Sequence, residues 1–138
     1  MGGRGGSGSR NTEGATITGV SSEVMPKYRA PEFSKHGVDI KVNSYEATEL
    51  IRDGWNGEPN DVTNASMSIL NSYMDKNSLK PTSIEVSRYS VAMNMPDGSR
   101  IYTVLAEPSG FAQKNMSAYI RLYQKVNGKK KQIKKSEW

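Results

Sequence analysis

Tyrosines and cations alternate near the C-terminus in a pattern that suits contact with an anionic, ring-bearing partner. Tyr119, Arg121, Tyr123 and Lys125 occupy every second position, and Lys129, Lys130, Lys131 and Lys134 follow a break at Asn127-Gly128. If both runs are extended, alternate side chains share one face of a sheet. On an open sheet, rings among cations can stack on bases and neutralise phosphates. Arg121, Lys125, Lys130 and Lys134 are then expected on phosphates, and Tyr119 and Tyr123 on bases. Lys129 and Lys131 complete the candidate nucleic-acid- or partner-binding set. The same pattern also suits a solvated edge, because Tyr favours strands and Lys protects a terminal strand from aggregation.

Other chemistry has little to work with. The chain has no Cys, which excludes disulfides, thiolate metal sites and thiol nucleophiles. His36 is the single histidine and lies near an expected linker, so neither a catalytic triad nor a histidine-based metal cluster is expected. Glu46, Glu49 and Asp53 recur at helical steps that could suit a hard cation, but solvated acids near a helix N-terminus explain them more simply. Tyr28-Arg29-Ala30-Pro31-Glu32 matches the stretch that closes a protein-kinase activation segment. No glycine-rich loop, His-Arg-Asp or Asp-Phe-Gly accompanies it, so no kinase chemistry follows. The expectation is a non-enzymatic protein with no catalytic residues, no metal and no cofactor.

Charge is distributed unevenly along the 138 residues, whose formal net charge is +5. Glu46, Glu49, Asp53, Glu58 and Asp61 surround one cation, Arg52, whereas residues 114 to 135 carry eight cations and no acid. That asymmetry favours an anionic partner, nucleic acid or an acidic protein face, although a basic tail kept for solubility has the same composition. No apolar run approaches the roughly 20 residues of a membrane span, and no signal-peptide pattern opens the chain. A soluble protein made and kept inside a cell, in its cytoplasm, is expected, with no membrane partner.

The elements that must position these residues follow from patterning. Residues 1–35 are rich in Gly, Ser, Thr and charge, and are expected to form a flexible Gly-rich tail; Arg4-Gly5-Gly6 is one copy of an arginine-glycine RNA-binding repeat. Residues 36–138 are expected to form a single α+β domain. Its antiparallel sheet of about five strands, two hairpins plus one N-terminal strand, is packed by two helices. Val38, Ile40 and Val42 alternate as a half-buried strand. One short helix is expected from Asn43 to about Asp53, with Trp55 after it as a core anchor, and a longer one, capped by Asn60 or Asp61, to about Lys76. Thr82 to Pro108 is read as two long strands around Pro96-Asp97-Gly98, with a bulge near Ser87-Arg88 and a return strand, Arg100 to Ala106, covered on both faces. Asn127-Gly128 sets a second hairpin that pairs Val126 with Lys129 and Leu122 with Ile133. This scaffold displays the acidic helix region and the basic hairpin on its flanks.

The opening Met1-Gly2-Gly3-Arg4-Gly5-Gly6-Ser7-Gly8 resembles the start of small proteins encoded near head-morphogenesis genes in prophages of Gram-positive bacteria. The resemblance implies a phage or mobile-element origin, for which binding proteins such as anti-CRISPR inhibitors are one class. It leaves three expectations open. One is an inhibitor that binds a host defence protein, a ribonucleoprotein or its nucleic acid. Another is a minor virion or head-associated protein, and the third a small nucleic-acid-binding protein.

Overall fold

Alternating and continuous apolar runs build one mixed sheet with a helical layer on one side. The structure is a computed structural model, and it describes residues 16–42, 55–106 and 116–138. Seven strands lie side by side in the order in which the chain makes them. They are β1 (Ile17–Thr18), β2 (Asp39–Val42), β3 (Ser83–Val86), β4 (Val91–Asn94), β5 (Arg100–Leu105), β6 (Ile120–Val126) and β7 (Lys129–Ile133). Three α-helices accompany them among the described residues: α1 (Met25–Tyr28), α2 (Pro31–Ser34) and α3 (Asp61–Asn77).

The α+β class matches the expectation, but the sheet is larger and its strands are not all antiparallel. β1, β2 and β3 run parallel, and β3 to β7 form an antiparallel meander. A strand joined to its neighbour through a helix returns in the same direction, so α3 between β2 and β3 imposes the parallel pairing. The second difference lies in Thr82 to Pro108. Val86 and Val91 face each other across a turn at 87–90, so the expected bulged strand is a hairpin of two strands. Its turn has no Gly or Pro; Ser87 and Ser90 close it, with a backbone bond of 2.9 Å and their hydroxyls 2.6 Å apart. The phase shift read as a bulge is the chain reversing.

The third difference concerns residues 16–35, expected within the tail. They contribute β1, α1 and α2, and Ile17, Val24, Tyr28 and Phe33 are buried. The Tyr28 ring meets Phe33 edge-on with centroids 5.0 Å apart. Its hydroxyl donates to the Gly57 carbonyl, and burial, with the Glu58 carboxylate as a lesser cause, pushes its pKa well above the usual phenol value. The helix expected from Asn43 to Asp53 lies outside the described residues.

The core forms where the inner face of the sheet meets α3. Ile40, Val42, Ile84, Val86, Val91, Met93, Ile101, Ile120, Leu122 and Ile133 supply the sheet side, and Met67, Ile69, Leu70 and Met74 the helix side. α3 begins at Asn60, whose side chain accepts from Val62 and Thr63 N–H while the Thr63 hydroxyl accepts from Asn60 N–H. It ends at Ser78, which adopts left-handed backbone at φ 52°. Trp55 is half-buried against this core and donates to the Glu58 carbonyl at 2.8 Å. β5 is central, as expected, but is covered on one face only: Tyr102 is half-buried and Val104 is 36% exposed.

Candidate partner-binding face

The hairpin β6–β7 takes the register that Asn127-Gly128 dictates. Asn127 and Gly128 have φ of 52° and 81°, the pair of left-handed residues a tight type I′ turn needs. Val126 then pairs with Lys129 and Leu122 with Ile133. Burying Ile133 against Leu122 fixes which side chains point away from the core, because a slip of one residue would invert both strands.

Register with β5 completes the outer face. Lys125 lies between Arg100 and Lys130, Tyr123 between Tyr102 and Gln132, and Arg121 beside Val104. Three rows result, spaced by two residues along the strands, or roughly 7 Å: a cationic row, an aromatic row and Arg121. The Tyr102 and Tyr123 rings are stacked, 5.8 Å between centroids and 20° apart, and the Lys130 ammonium sits 4.9 Å from the Tyr123 centroid.

The cations of this face differ in how occupied they are. Arg100 is bound to Glu85 by two contacts of 3.2 and 3.3 Å and to Asn94 at 2.8 Å. The Arg100 guanidinium holds the Glu85 carboxyl below its usual range, aided by Asn94, against a smaller opposing effect of burial. Arg121 is oriented by its own chain, donating to the Ala118 and Ile120 carbonyls at 3.0 and 3.4 Å. Lys125 and Lys130 are exposed and have no acidic partner among the described residues.

The eight residues singled out in the sequence do not all reach this face. Arg121, Tyr123, Lys125 and Lys130 do. Lys129 and Lys131 pair with Val126 and Gln124, positions that alternate to the opposite side of the hairpin. Lys134 follows the last paired residue and caps a 3₁₀ turn at Lys135–Glu137, and Tyr119 ends the 3₁₀ turn Met116–Tyr119 before β6 begins. Alternation extended past the ends of the strands misplaced both. Tyr102 and Arg100 were missed for another reason. The apolar residues of β5 gave an impression of two-sided burial, although Arg100-Ile101-Tyr102-Thr103-Val104 also alternates.

A cleft of about 350 Å³ extends the face between the turns, lined by Asp97 to Arg100 and Lys125 to Gly128. The Asp97 carboxylate there is taken by the Ser99 backbone N–H and hydroxyl, at 2.8 and 2.6 Å, and these bonds lower its pKa. A larger cleft, about 640 Å³, opens between α2 and α3 beside Glu32, Lys35, Asn71 and Asp75. Its charges are balanced and Lys35 already binds Asp75 at 2.6 Å, so no ligand chemistry is specified there. His36 places its buried Nε2 3.4 Å from the other Asp75 oxygen, an ion pair only when the imidazole is protonated.

Among the described residues no group of three or more His, Asp or Glu is placed to hold a metal ion, and no helix is long and apolar enough to cross a membrane. Comparison of the chain with protein-family models, curated proteins and solved structures finds no match.

Proposed function

We propose that this chain is a non-enzymatic inhibitor of phage origin that binds a host defence protein, such as a CRISPR nuclease, or its nucleic acid, in the host cytoplasm. The observation that carries the reading is the outer face of β5–β7, where Lys125 and Lys130 lie beside the Tyr102–Tyr123 pair with no acidic partner among the described residues. A protein whose own acids do not satisfy its cations attracts an anionic partner and steers its approach. The prophage-like opening, Met1 to Gly8, favours a setting in which such a partner is the RNA-bearing machinery of host defence. The Tyr102–Tyr123 pair favours a second reading, a small nucleic-acid-binding protein that acts without a protein partner.

The test uses the full chain with an RNA-guided nuclease complex of a Gram-positive host, followed by size-exclusion chromatography and a cleavage assay. Wild type is expected to co-migrate with the complex and suppress cleavage. Arg121→Glu, Lys125→Glu and Lys130→Glu together are expected to abolish both while leaving the circular dichroism spectrum unchanged. Equal inhibition by the triple variant would overturn the role of this face. Binding to free nucleic acid without any effect on the nuclease would favour the second reading.

A further inference from the structure

The face described above has an order that charge alone does not require. Its cations are separated by the aromatic row, with Lys125 and Lys130 on one side of Tyr102–Tyr123 and Arg121 on the other. A duplex hides its bases in the stack and presents phosphates, so rings at the centre of a duplex-binding face would meet sugar and phosphate with nothing to stack on. Unpaired bases have exposed π-faces, and proteins that hold them combine a cationic track with aromatic platforms. From the cation–aromatic–cation rows we infer that this face binds single-stranded nucleic acid across β5 and β6, with a base on the Tyr102–Tyr123 pair and its flanking phosphates on Arg121 and on Lys125 with Lys130.

Lys130 has a particular place in this arrangement. Tyr123 lies between the Tyr102 ring on β5 and the Lys130 ammonium on β7, and the latter belongs to a flexible, solvated chain. Stacking of a base on a ring is stronger than a surface contact between an ammonium and the same ring. An arriving base therefore displaces the ammonium, which is then free to meet a phosphate. Arg121 needs no such movement, because its bonds to the Ala118 and Ile120 carbonyls already orient it. Gln132, the neighbour of Tyr123 on β7, adds a neutral amide at the end of the aromatic row.

This inference rests on the anionic-partner reading, and one set of measurements separates the two. Fluorescence anisotropy of the full chain is recorded with labelled oligothymidine and with a labelled hairpin duplex of equal phosphate number, at two salt concentrations. The single strand is expected to bind at least about tenfold tighter than the duplex, with log affinity falling against log salt at a slope near −2, as about three phosphate contacts would give. Tyr123→Leu should weaken oligothymidine binding by about tenfold, and Tyr123→Phe, which keeps the ring, should stay within about twofold of wild type. Duplex binding equal to or tighter than single-strand binding would overturn the inference, as would Tyr123→Leu and Tyr102→Leu that bind oligothymidine like wild type. In either case, nuclease inhibition lost in the charge-reversed triple variant keeps the anionic-partner reading intact. Failure to bind either probe, together with unaltered inhibition by the triple variant, removes both.

Discussion

At the scale of single residues, Glu85 sets part of the charge on the outer face. Glu85 occupies Arg100 and so removes one cation from the row that Lys125 and Lys130 continue. Arg100 keeps the Glu85 carboxyl ionised below its usual pKa of 4.5, which ties this contact to pH. Because the folded-state value is depressed, the stabilisation is fully present above about pH 4.5 and is lost as pH falls through the depressed value. Thermal melts of wild type and Glu85→Gln should therefore diverge at neutral pH and converge in acid, with the variant less stable at neutral pH. Asp75 and Asp97 follow the same sign, lowered chiefly by hydrogen bonds from Lys35 and Ser99, so the acid limb will flatten only in part. The same substitution frees the Arg100 guanidinium, and oligothymidine should bind Glu85→Gln more tightly, with a steeper salt slope. Unchanged affinity would mean that Arg100 does not face the ligand.

At the scale of elements, the sequence was most legible where few residues could satisfy a constraint. β6–β7 is the clearest case: Ile133 is the lone apolar residue between Val126 and Trp138, and a single register buries it. α3 was legible because Asn60 caps it and its apolar residues recur on one side. The turn at 87–90 was not, because its closure depends on two serine hydroxyls rather than on Gly or Pro. Residues 16–35 were hidden by dilution: Ile17, Val24, Tyr28 and Phe33 are isolated in polar sequence, and only tertiary packing makes them a core. Of the candidate site, the strand-borne residues were readable from alternation, whereas Tyr102 depended on knowing which neighbour β6 pairs with. The cap of α3 offers an element-scale test. Asn60 also donates to the Arg88 carbonyl at 2.9 Å, which links the helix start to the turn at 87–90. Asn60→Ala should cost about 1–2 kcal/mol in chemical denaturation, since it removes the cap together with the Asn60–Arg88 hydrogen bond. A loss below about 0.5 kcal/mol would mean that the cap is dispensable.

At the scale of the whole molecule, the N-terminal elements are part of the protein's support. Tyr28 joins α1 to the loop before α3, Phe33 packs beside it, and β1 covers the free edge of β2. A chain beginning at His36 loses Ile17, Val24, Tyr28 and Phe33 together, each worth on the order of 2–5 kcal/mol in a core. Such a truncation should lose its cooperative thermal transition. A sharp melt within a few degrees of wild type would show that residues 16–35 are accessory.

The order of strands across the sheet carries a consequence for how the molecule is made. β3 to β7 pair with sequence neighbours, whereas β2 must wait for β3, roughly forty residues later, before it has a partner on that side. β1 in turn pairs with β2 alone. During synthesis the N-terminal third therefore leaves the ribosome first and finishes folding last, its apolar side chains unshielded until Val86 has emerged. The meander can close early and by local steps. In native-state hydrogen exchange, amides of β1 and β2 should open at lower free energy than those of β5 and β6. In a nascent or stressed molecule the strand pairings of β4 to β7 would then outlast those of the N-terminal layer.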